Sequence, residues 1–409
     1  MRKMKDSGGE WIGEIPKDWN CMRLKFAFGN SNVGESVDKE LYSSDENGYI
    51  FYTAGANPVK TSYTEFPMWK YTTDNDILLA RNGTPYIYLP SKDAVYSDHI
   101  IRINIKDGYC RRFLRYCLQR SIESIIVDSV SIATWSISLW KEQKLPLPYY
   151  HEQKYLADYL DSKCSKIDEI IEKQQAIIKK LKEYKFSIIT EAVTKGINPD
   201  VELKDSTIDM CEQIPVHWGI SQNRYLFLLR DEKNYKPLEE VRLLSLYTDL
   251  GVFPHGEQEE RGNKAVKAEG YKVVYENDIV VNIILAWMGA IGRSAYDGVT
   301  SPAYDIYKPN ENVCSRYYHY LYRTKPFSAE CYKYGRGIMA MRWRTYSSEF
   351  KSIKVPVPPY IEQCQIADYL DSKCEMLDKT IADRNKAIDI LQEYKKSLIY
   401  EVVTGKKEV

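Results

Sequence analysis

The segment that decides the fold occurs twice in this chain of 409 residues. Residues 151–196 read HEQKYLADYLDSKCSKIDEIIEKQQAIIKKLKEYKFSIITEAVTKG, and residues 361–406 read IEQCQIADYLDSKCEMLDKTIADRNKAIDILQEYKKSLIYEVVTGK. Aligned without gaps, 22 of the 46 positions are identical, and the copies start 210 residues apart. This repeat predicts a molecule of two halves that perform one task at two places.

Both copies are predicted to be long helices with an apolar seam. Such a seam repeats every seven residues and needs a partner helix to cover it. Because 210 is thirty heptads, both copies share one frame, and each helix is the obvious antiparallel partner of the other. Roughly 40 residues would make a rod of about 60 Å. The predicted seam residues are Leu160, Ile167, Leu181 and Ile188, with Ile170, Ile177 and Tyr184, and in the second copy Leu370, Leu377, Leu391 and Leu398, with Tyr394.

A second repeat divides the rest of the chain. Residues 5–19 (KDSGGEWIGEIPKDW) and 204–218 (KDSTIDMCEQIPVHW) share their first three residues and an Ile-Pro-x-x-Trp end. Each of these arms leads into a variable globule, which a proline-rich strap joins to a long helix. The predicted boundaries are an arm at 1–19, a first globule at 20–147, a central helical repeat at 148–203, a second arm at 204–218, a second globule at 219–357 and a C-terminal helical repeat at 358–409.

This order of elements predicts a circular arrangement. The first helix runs into the second arm, whereas the arm that would follow the second helix is the chain's own N-terminus, so the termini should lie together. Short β-like runs at 76–80 (DILLA) and 278–281 (DIVV), with helical spacing at 111–126, predict globules of mixed structure. The predicted fold class is therefore α+β, with two α+β globules joined by two long helices in an antiparallel coiled coil of approximate two-fold symmetry.

Composition excludes several classes of protein. The 57 Lys+Arg residues balance 57 Asp+Glu, which argues against a basic protein that coats nucleic acid indiscriminately. Nine cysteines without a CxxC pair indicate reduced thiols. The charged segment at 1–10 does not resemble a signal peptide, and the apolar stretch at 279–292 is too short to span a bilayer. A cytoplasmic protein is expected.

Four short motifs imitate catalytic sites but lack what the chemistry needs. VPPY at 357–360 has no Asn, Asp or Ser to accept a hydrogen bond from a flipped adenine, and PDVELK at 199–204 crowds its carboxylates into a linker. GRGIMA at 335–340 has no surrounding βαβ unit, and HEQKY at 151–155 lacks the second histidine of a zinc protease. The sequence therefore predicts a chain that is not an enzyme and that binds no metal or cofactor itself.

The candidate DNA-binding residues come from arginine clusters and from glycine- and asparagine-rich turns. Arginines interleaved with aromatic residues suit phosphate contact and base-edge reading, although a solvated helix face explains the cluster at 111–120 equally well. Turns at 53–57, 81–84 and 287–292 would let the backbone approach DNA. The candidates are Thr53, Asn57, Arg81, Asn82, Thr84, Arg111, Arg112, Trp287, Arg293, Arg336, Arg342 and Arg344.

The chain as a whole closely resembles the specificity subunit of type I restriction-modification systems. The resemblance covers essentially all residues and is most specific in the arm at 5–19 and in the stretches LPLPYYHEQKYLADYLD (145–161) and TEAVTKGINPDVELKDS (190–206). It extends to NIILAWMGAIGRSAYDGVTSPAY (282–304) in the second globule. It implies that each globule is a target recognition domain for one half of a split, asymmetric site in double-stranded DNA.

The resemblance also implies the partners. The paired helices would dock two methyltransferase subunits, restriction subunits would join them, and S-adenosylmethionine, ATP and Mg²⁺ would serve those partners only. Helix length would then set the gap between the half-sites. Alternatives that stay open are an orphan or silent specificity subunit, a coiled-coil DNA-binding scaffold without sequence specificity, and an enzyme with its own methyltransferase or nuclease activity.

Overall fold

The structure, a computed structural model, describes residues 2–43, 48–128, 134–248, 250–256, 268–337 and 343–409. The chain forms two compact units. Unit 1 comprises Met1–Gln175 with Asn385–Val409, and unit 2 comprises Ala176–Arg384. The boundary between them falls inside both long helices, so each unit contains a part of each helix.

Unit 1 begins with an arm and a mixed globule and continues into the first long helix. The arm is the β1–β2 hairpin, and a second antiparallel pair, β3 with β12, closes the globule at its base. The elements are β1 Met4–Asp6, β2 Glu14–Pro16, β3 Asn20–Arg23, β4 Phe28–Val33, β5 Tyr42–Ser43, β6 Tyr49–Tyr52, β7 Val59–Thr61, β8 Asp76–Ala80, β9 Ile87–Tyr88, β10 Val95–Tyr96, β11 Ile100–Ile105, α1 Arg111–Asp128, α2 Ile137–Lys141, β12 Lys144–Leu147 and α3 Tyr150–Lys195.

Two four-stranded sheets make up the first globule. One has the order β4-β11-β8-β9, and the other has the order β10-β6-β7-β5. Every residue of β8 is buried, as expected of a central strand rich in aliphatic side chains. Its residues Ile77 and Leu79 share one core with α1, with the arm residue Trp19 and with Leu160 of the long helix. Arm, globule and helix therefore form a single packed unit.

Unit 2 repeats this plan from the second part of α3 onward. Its central sheet has the order β16-β23-β20-β21, and β15 pairs with β24 at the base of the globule. The elements are β13 Leu203–Ile208, β14 Cys211–Pro215, β15 Gly219–Gln222, α4 Asn223–Leu226, β16 Phe227–Arg230, β17 Leu244–Tyr247, β18 Gly251–Pro254, β19 Lys272–Val274, β20 Ile279–Asn282, β21 Ile291–Arg293, β22 Gly298–Thr300, β23 Tyr304–Pro309, α5 Ser315–Tyr322, α6 Lys325–Tyr334, α7 Ser347–Ser352, β24 Lys354–Val357 and α8 Tyr360–Val403.

Within each unit the two long helices pack antiparallel, as predicted. In unit 1 the end of α8, at Val403, shares a core with the start of α3, at Ala157, and Lys395 binds Asp168 at 2.6 Å. In unit 2 the matching ion pair joins Lys185 to Asp378 at 2.7 Å. The α+β class and the paired long helices are confirmed.

The predicted seam is only partly correct. Leu160, Ile167, Leu370, Leu377 and Leu398 are buried. The positions three residues after the seam are wrong, because that column is exposed. The positions four residues after the seam are buried instead. They lie about 40° from the seam around the helix, whereas the positions three residues after it lie about 60° from the seam on the other side. The exposed residues are Ile170, Ile177, Tyr184 and Tyr394, and the buried ones are Cys164, Ile178, Cys374 and Ile388.

Each arm caps the end of a long helix. Gly405 has a φ of +69°, and a Cβ there would meet Pro16 at 2.5 Å, so only glycine fits. Gly196 at the end of α3 has a φ of +79° and lies against Trp218 of the second arm. The Arg2 backbone N–H donates to Glu408 at 3.2 Å, which confirms the predicted closeness of the termini.

Across the described ranges, no helix is long and apolar enough to cross a membrane.

Candidate nucleic-acid interface

A buried glutamine fastens each globule to its long helix in the same way. The Gln153 side chain donates to the carbonyl of Pro148 at 2.9 Å and accepts from the backbone N–H of Cys110 at 2.9 Å. In unit 2 the corresponding distances are 2.8 and 2.9 Å. This glutamine therefore ties strap, helix and globule together. The corresponding residues of unit 2 are Gln363, Pro358 and Cys314.

An arginine and a tyrosine one helical turn apart form a second duplicated contact. The Arg112 guanidinium lies 2.7 Å from Asp158 and 2.6 Å from Asp161, and the Tyr116 hydroxyl donates to Asp161 at 2.7 Å. Hydrogen bonding to Asp158 raises the pKa of Arg112 above its ordinary value. We call this set the clamp. Its counterparts in unit 2 are Arg316, Asp368, Asp371 and Tyr320.

The clamp bears on one predicted DNA contact. Because two carboxylates of α3 already hold the Arg112 guanidinium, its placement indicates a structural role and gives no support to DNA contact. The side chains of Arg111, Arg81 and Arg293 are also engaged within their globules. Arg111 donates to the carbonyls of Asp76 and Pro90, Arg81 to the carbonyl of Asp98, and Arg293 to Asn277 and Glu276.

The two candidate loops of unit 1 lie beside the same strand, β9. The loop at 81–86 joins β8 to β9, and the Tyr88 hydroxyl on β9 lies 3.0 Å from the carbonyl of Thr53 in the other loop. Asn57 and Thr84 are exposed, and the side-chain amide of Asn82 lies 2.9 Å from a ring nitrogen of His99. The structure therefore brings Thr53, Asn57, Asn82 and Thr84 to one region of the globule.

Unit 2 carries a partly exposed group that we call the aromatic–arginine surface. Tyr332 stacks on Trp343 with ring centroids 4.9 Å apart, and Trp287 lies against Tyr332 at 5.9 Å. Arg336 and Arg344 exchange two backbone hydrogen bonds of 2.9 Å. The structure thus brings together the predicted residues Trp287, Arg336 and Arg344. It also places Tyr332 and Trp343 beside them, and the sequence pattern that points to these two is aromatic residues interleaved with arginines. The predicted residue Arg342 lies outside the described residues.

These surfaces occupy the same place in the two topologies. In unit 1 the backbone N–H of Trp135, just before α2, donates to the backbone carbonyl of Arg81, which follows the central strand β8. In unit 2 the N–H of Thr345, just before α7, donates to Ile283, which follows the central strand β20. The loop after the central strand is RNGTPY (81–86) in unit 1 and IILAWMGA (283–290) in unit 2. A shared frame therefore presents two different surfaces.

Within the part of the chain that the structure describes, no group of three or more His, Cys, Asp or Glu residues could hold a metal ion.

Comparisons of sequence and of structure both match this chain to proteins of type I restriction-modification systems. Residues 16–191 match the family model of the type I restriction modification DNA specificity domain. The type I restriction enzyme MjaX specificity subunit of Methanocaldococcus jannaschii is 25% identical, over 97% of this chain and 96% of that protein. The MjaVIII specificity subunit of the same organism is 23% identical, over 97% and 94%.

Solved structures show the same fold at lower identity. A chain from a structure of the type I R-M system aligns with a TM-score of 0.68 and 12% identity, covering 96% of this chain and 99% of that one. The HsdS subunit of Thermoanaerobacter tengcongensis aligns with a TM-score of 0.51 and 13% identity, covering 96% and 98%.

Proposed function

This chain belongs to the family of type I restriction-modification specificity subunits and is a DNA sequence-specificity subunit, and on that premise we propose that each of its units reads one half of a split, asymmetric DNA site. One observation carries the proposal. The contacts that hold globule to helix are duplicated almost atom for atom, whereas the loops after the two central strands share no sequence pattern. A duplicated frame with two unlike surfaces suits two different half-sites.

The partners proposed are two methyltransferase subunits and, with them, restriction subunits. Exposed apolar side chains on the long helices support this, because they suit burial in a protein interface. S-adenosylmethionine, ATP and Mg²⁺ are assigned to those partners, and the chain itself is proposed to be non-catalytic and cytoplasmic. The exposed side chains include Tyr150, Tyr155 and Phe186 on α3 and Tyr360 and Ile361 on α8.

A methyl-transfer assay tests this function. The purified chain is mixed with duplex DNA and radiolabelled S-adenosylmethionine, alone and with the co-expressed methyltransferase subunit. We expect transfer to adenine only when both proteins are present and have co-purified. Transfer by the chain alone would make it an enzyme. Co-purification without any transfer would favour the orphan or scaffold alternative.

The aromatic–arginine surface makes a specific prediction about affinity. Tyr332→Ala removes the central ring of the stack, and a good aromatic contact is worth about 0.5–1.5 kcal/mol beyond the apolar area that it buries. We expect the complex with the methyltransferase subunit to bind its target duplex roughly tenfold more weakly, as measured by fluorescence anisotropy at fixed salt. Tyr235→Ala, at a strongly exposed tyrosine of the same unit, is the matched control. Equal effects of the two variants would remove this surface from the candidate interface.

A further inference from the structure

Among the residues that the structure describes, the Arg336–Glu349 ion pair of unit 2 has no counterpart in unit 1. Arg336 Nη2 lies 2.9 Å from Glu349 Oε1. Helix α7, which carries Glu349, begins after Tyr346, and its counterpart α2 begins after Ser136. The residue three positions after that cap in unit 1 is Leu139, which cannot form an ion pair. Whereas the glutamine contact and the clamp are duplicated, this pair is part of what distinguishes unit 2.

Burial of Glu349 needs an explanation because it costs folding free energy. Glu349 exposes only 7% of its surface, and a buried carboxylate is unfavourable unless it is paired and hydrogen-bonded. Ser348 Oγ donates to it at 2.5 Å, and Arg336 supplies the opposite charge. The hydrogen bond from Ser348 and the charge of Arg336 hold the pKa of Glu349 below its ordinary value. The leucine of unit 1 would fill this place without that cost.

Arg336 is held at its base and at one nitrogen, while most of its side chain stays exposed. Its backbone exchanges two hydrogen bonds of 2.9 Å with Arg344, and its side chain exposes 76% of its surface. Among the described residues, Glu349 is the group that binds the guanidinium. An arginine fork has five N–H donors, so the donors that Glu349 does not take remain for a ligand.

We propose that Arg336 reads a guanine in the half-site bound by unit 2 and that Glu349 is its positioning residue. The proposal rests on the proposed function. Arginine donates two parallel hydrogen bonds to guanine O6 and N7 in the major groove, which is the commonest base-specific contact. A carboxylate that already holds one guanidinium nitrogen reduces the rotamer freedom lost on binding. Trp343, which stacks on Tyr332, directly precedes Arg344, the backbone partner of Arg336.

The test compares methylated motifs of variants. The chain is co-expressed with its methyltransferase subunit in a host that lacks DNA methylation, and modified adenines are mapped by long-read sequencing. The variants are Arg336→Ala, Arg336→Lys and Glu349→Leu. The control is Lys333→Ala, at a nearby cation that pairs with Asp209. For each purified variant complex, the thermal unfolding midpoint is also measured.

Arg336→Ala and Arg336→Lys are expected to relax one guanine of one half-site by roughly ten- to hundredfold, leaving the other half-site unchanged. Glu349→Leu is expected to relax the same guanine by a smaller factor, up to about tenfold. Arg336→Lys separates charge from shape, because it keeps the positive charge and loses the planar fork. It still tests the guanine contact if Glu349→Leu does not fold. Uniform weakening at every position would identify a phosphate contact and overturn the proposal, as would an unaltered motif for Arg336→Ala. A relaxed guanine with Arg336→Ala but not with a folded Glu349→Leu would remove the positioning role. Absence of any motif for the unaltered chain would instead overturn the proposed function.

Discussion

Exchange of residues 24–143 for the same region of another specificity subunit is expected to change one half of the recognised sequence completely and to leave the other half intact. The exchange points lie at the end of the β3–β12 pair. The chain enters the first globule after Arg23 and leaves it before Lys144, and these two residues are paired directly across the two strands. Because each globule has its own core and its own helix contacts, replacement of one should not disturb the surface of the other.

The donor region must retain the contacts of the shared frame. The segment exchanged contains Cys110, Arg112 and Tyr116, whose partners on α3 remain in place. A donor without Arg-x-x-x-Tyr at this position should fold poorly against the helix. The methylated motif is the measurement, and the reciprocal exchange of residues 223–353 is the control, which should change only the other half. Changes in both halves, from either exchange, would contradict independent reading.

Gln363→Leu is expected to lower the free energy of unfolding of unit 2 by about 2–4 kcal/mol. The side chain is almost fully buried and satisfies one backbone carbonyl and one backbone N–H. Leucine has a similar size but cannot bond to either group, and each buried unsatisfied polar group costs about 1–3 kcal/mol. The effect belongs among the large ones for single substitutions.

Urea unfolding, followed by tryptophan fluorescence and by circular dichroism, measures this loss. Gln365→Leu makes the same chemical change two residues away, on the exposed face of α8, and should alter the free energy of unfolding by less than about 0.5 kcal/mol. Similar small losses for both variants would show that the glutamine contact does not fasten the globule.

Repetition explains how much of the fold could be predicted. The ADYLDSKC repeat and the Ile-Pro-x-x-Trp arms fix the long helices, their antiparallel pairing and the closeness of the termini, since one chain supplies two samples of the same pattern. The seam was only partly predicted because isoleucine stands at both Ile170 and Ile171, and periodicity alone does not say which the partner helix covers. Ile170 is exposed, and Ile171 packs against the core.

The candidate interface was less predictable because an arginine's partner is not a local property. In the sequence, Arg112 belongs to a basic cluster at 111–120 that contains no acidic residue. In the structure, its carboxylate partners lie 46 and 49 residues further along the chain. A usable signal existed, since Arg112 and Tyr116 recur as Arg316 and Tyr320 at the same spacing. Arg336 does not recur at a matching position of unit 1. Because the contacts that recur are those that join globule to helix, its absence from that set keeps Arg336 in the candidate interface.

The most direct test of the central claim is the methylome of the unaltered chain. The chain is expressed with its methyltransferase subunit in a methylation-free host, with the methyltransferase subunit alone as the control, and modified adenines are mapped by long-read sequencing. Two units with unlike surfaces predict a split, asymmetric motif with one modified adenine on each strand, absent when this chain is omitted. A continuous or palindromic motif, or one that persists without this chain, would contradict the account.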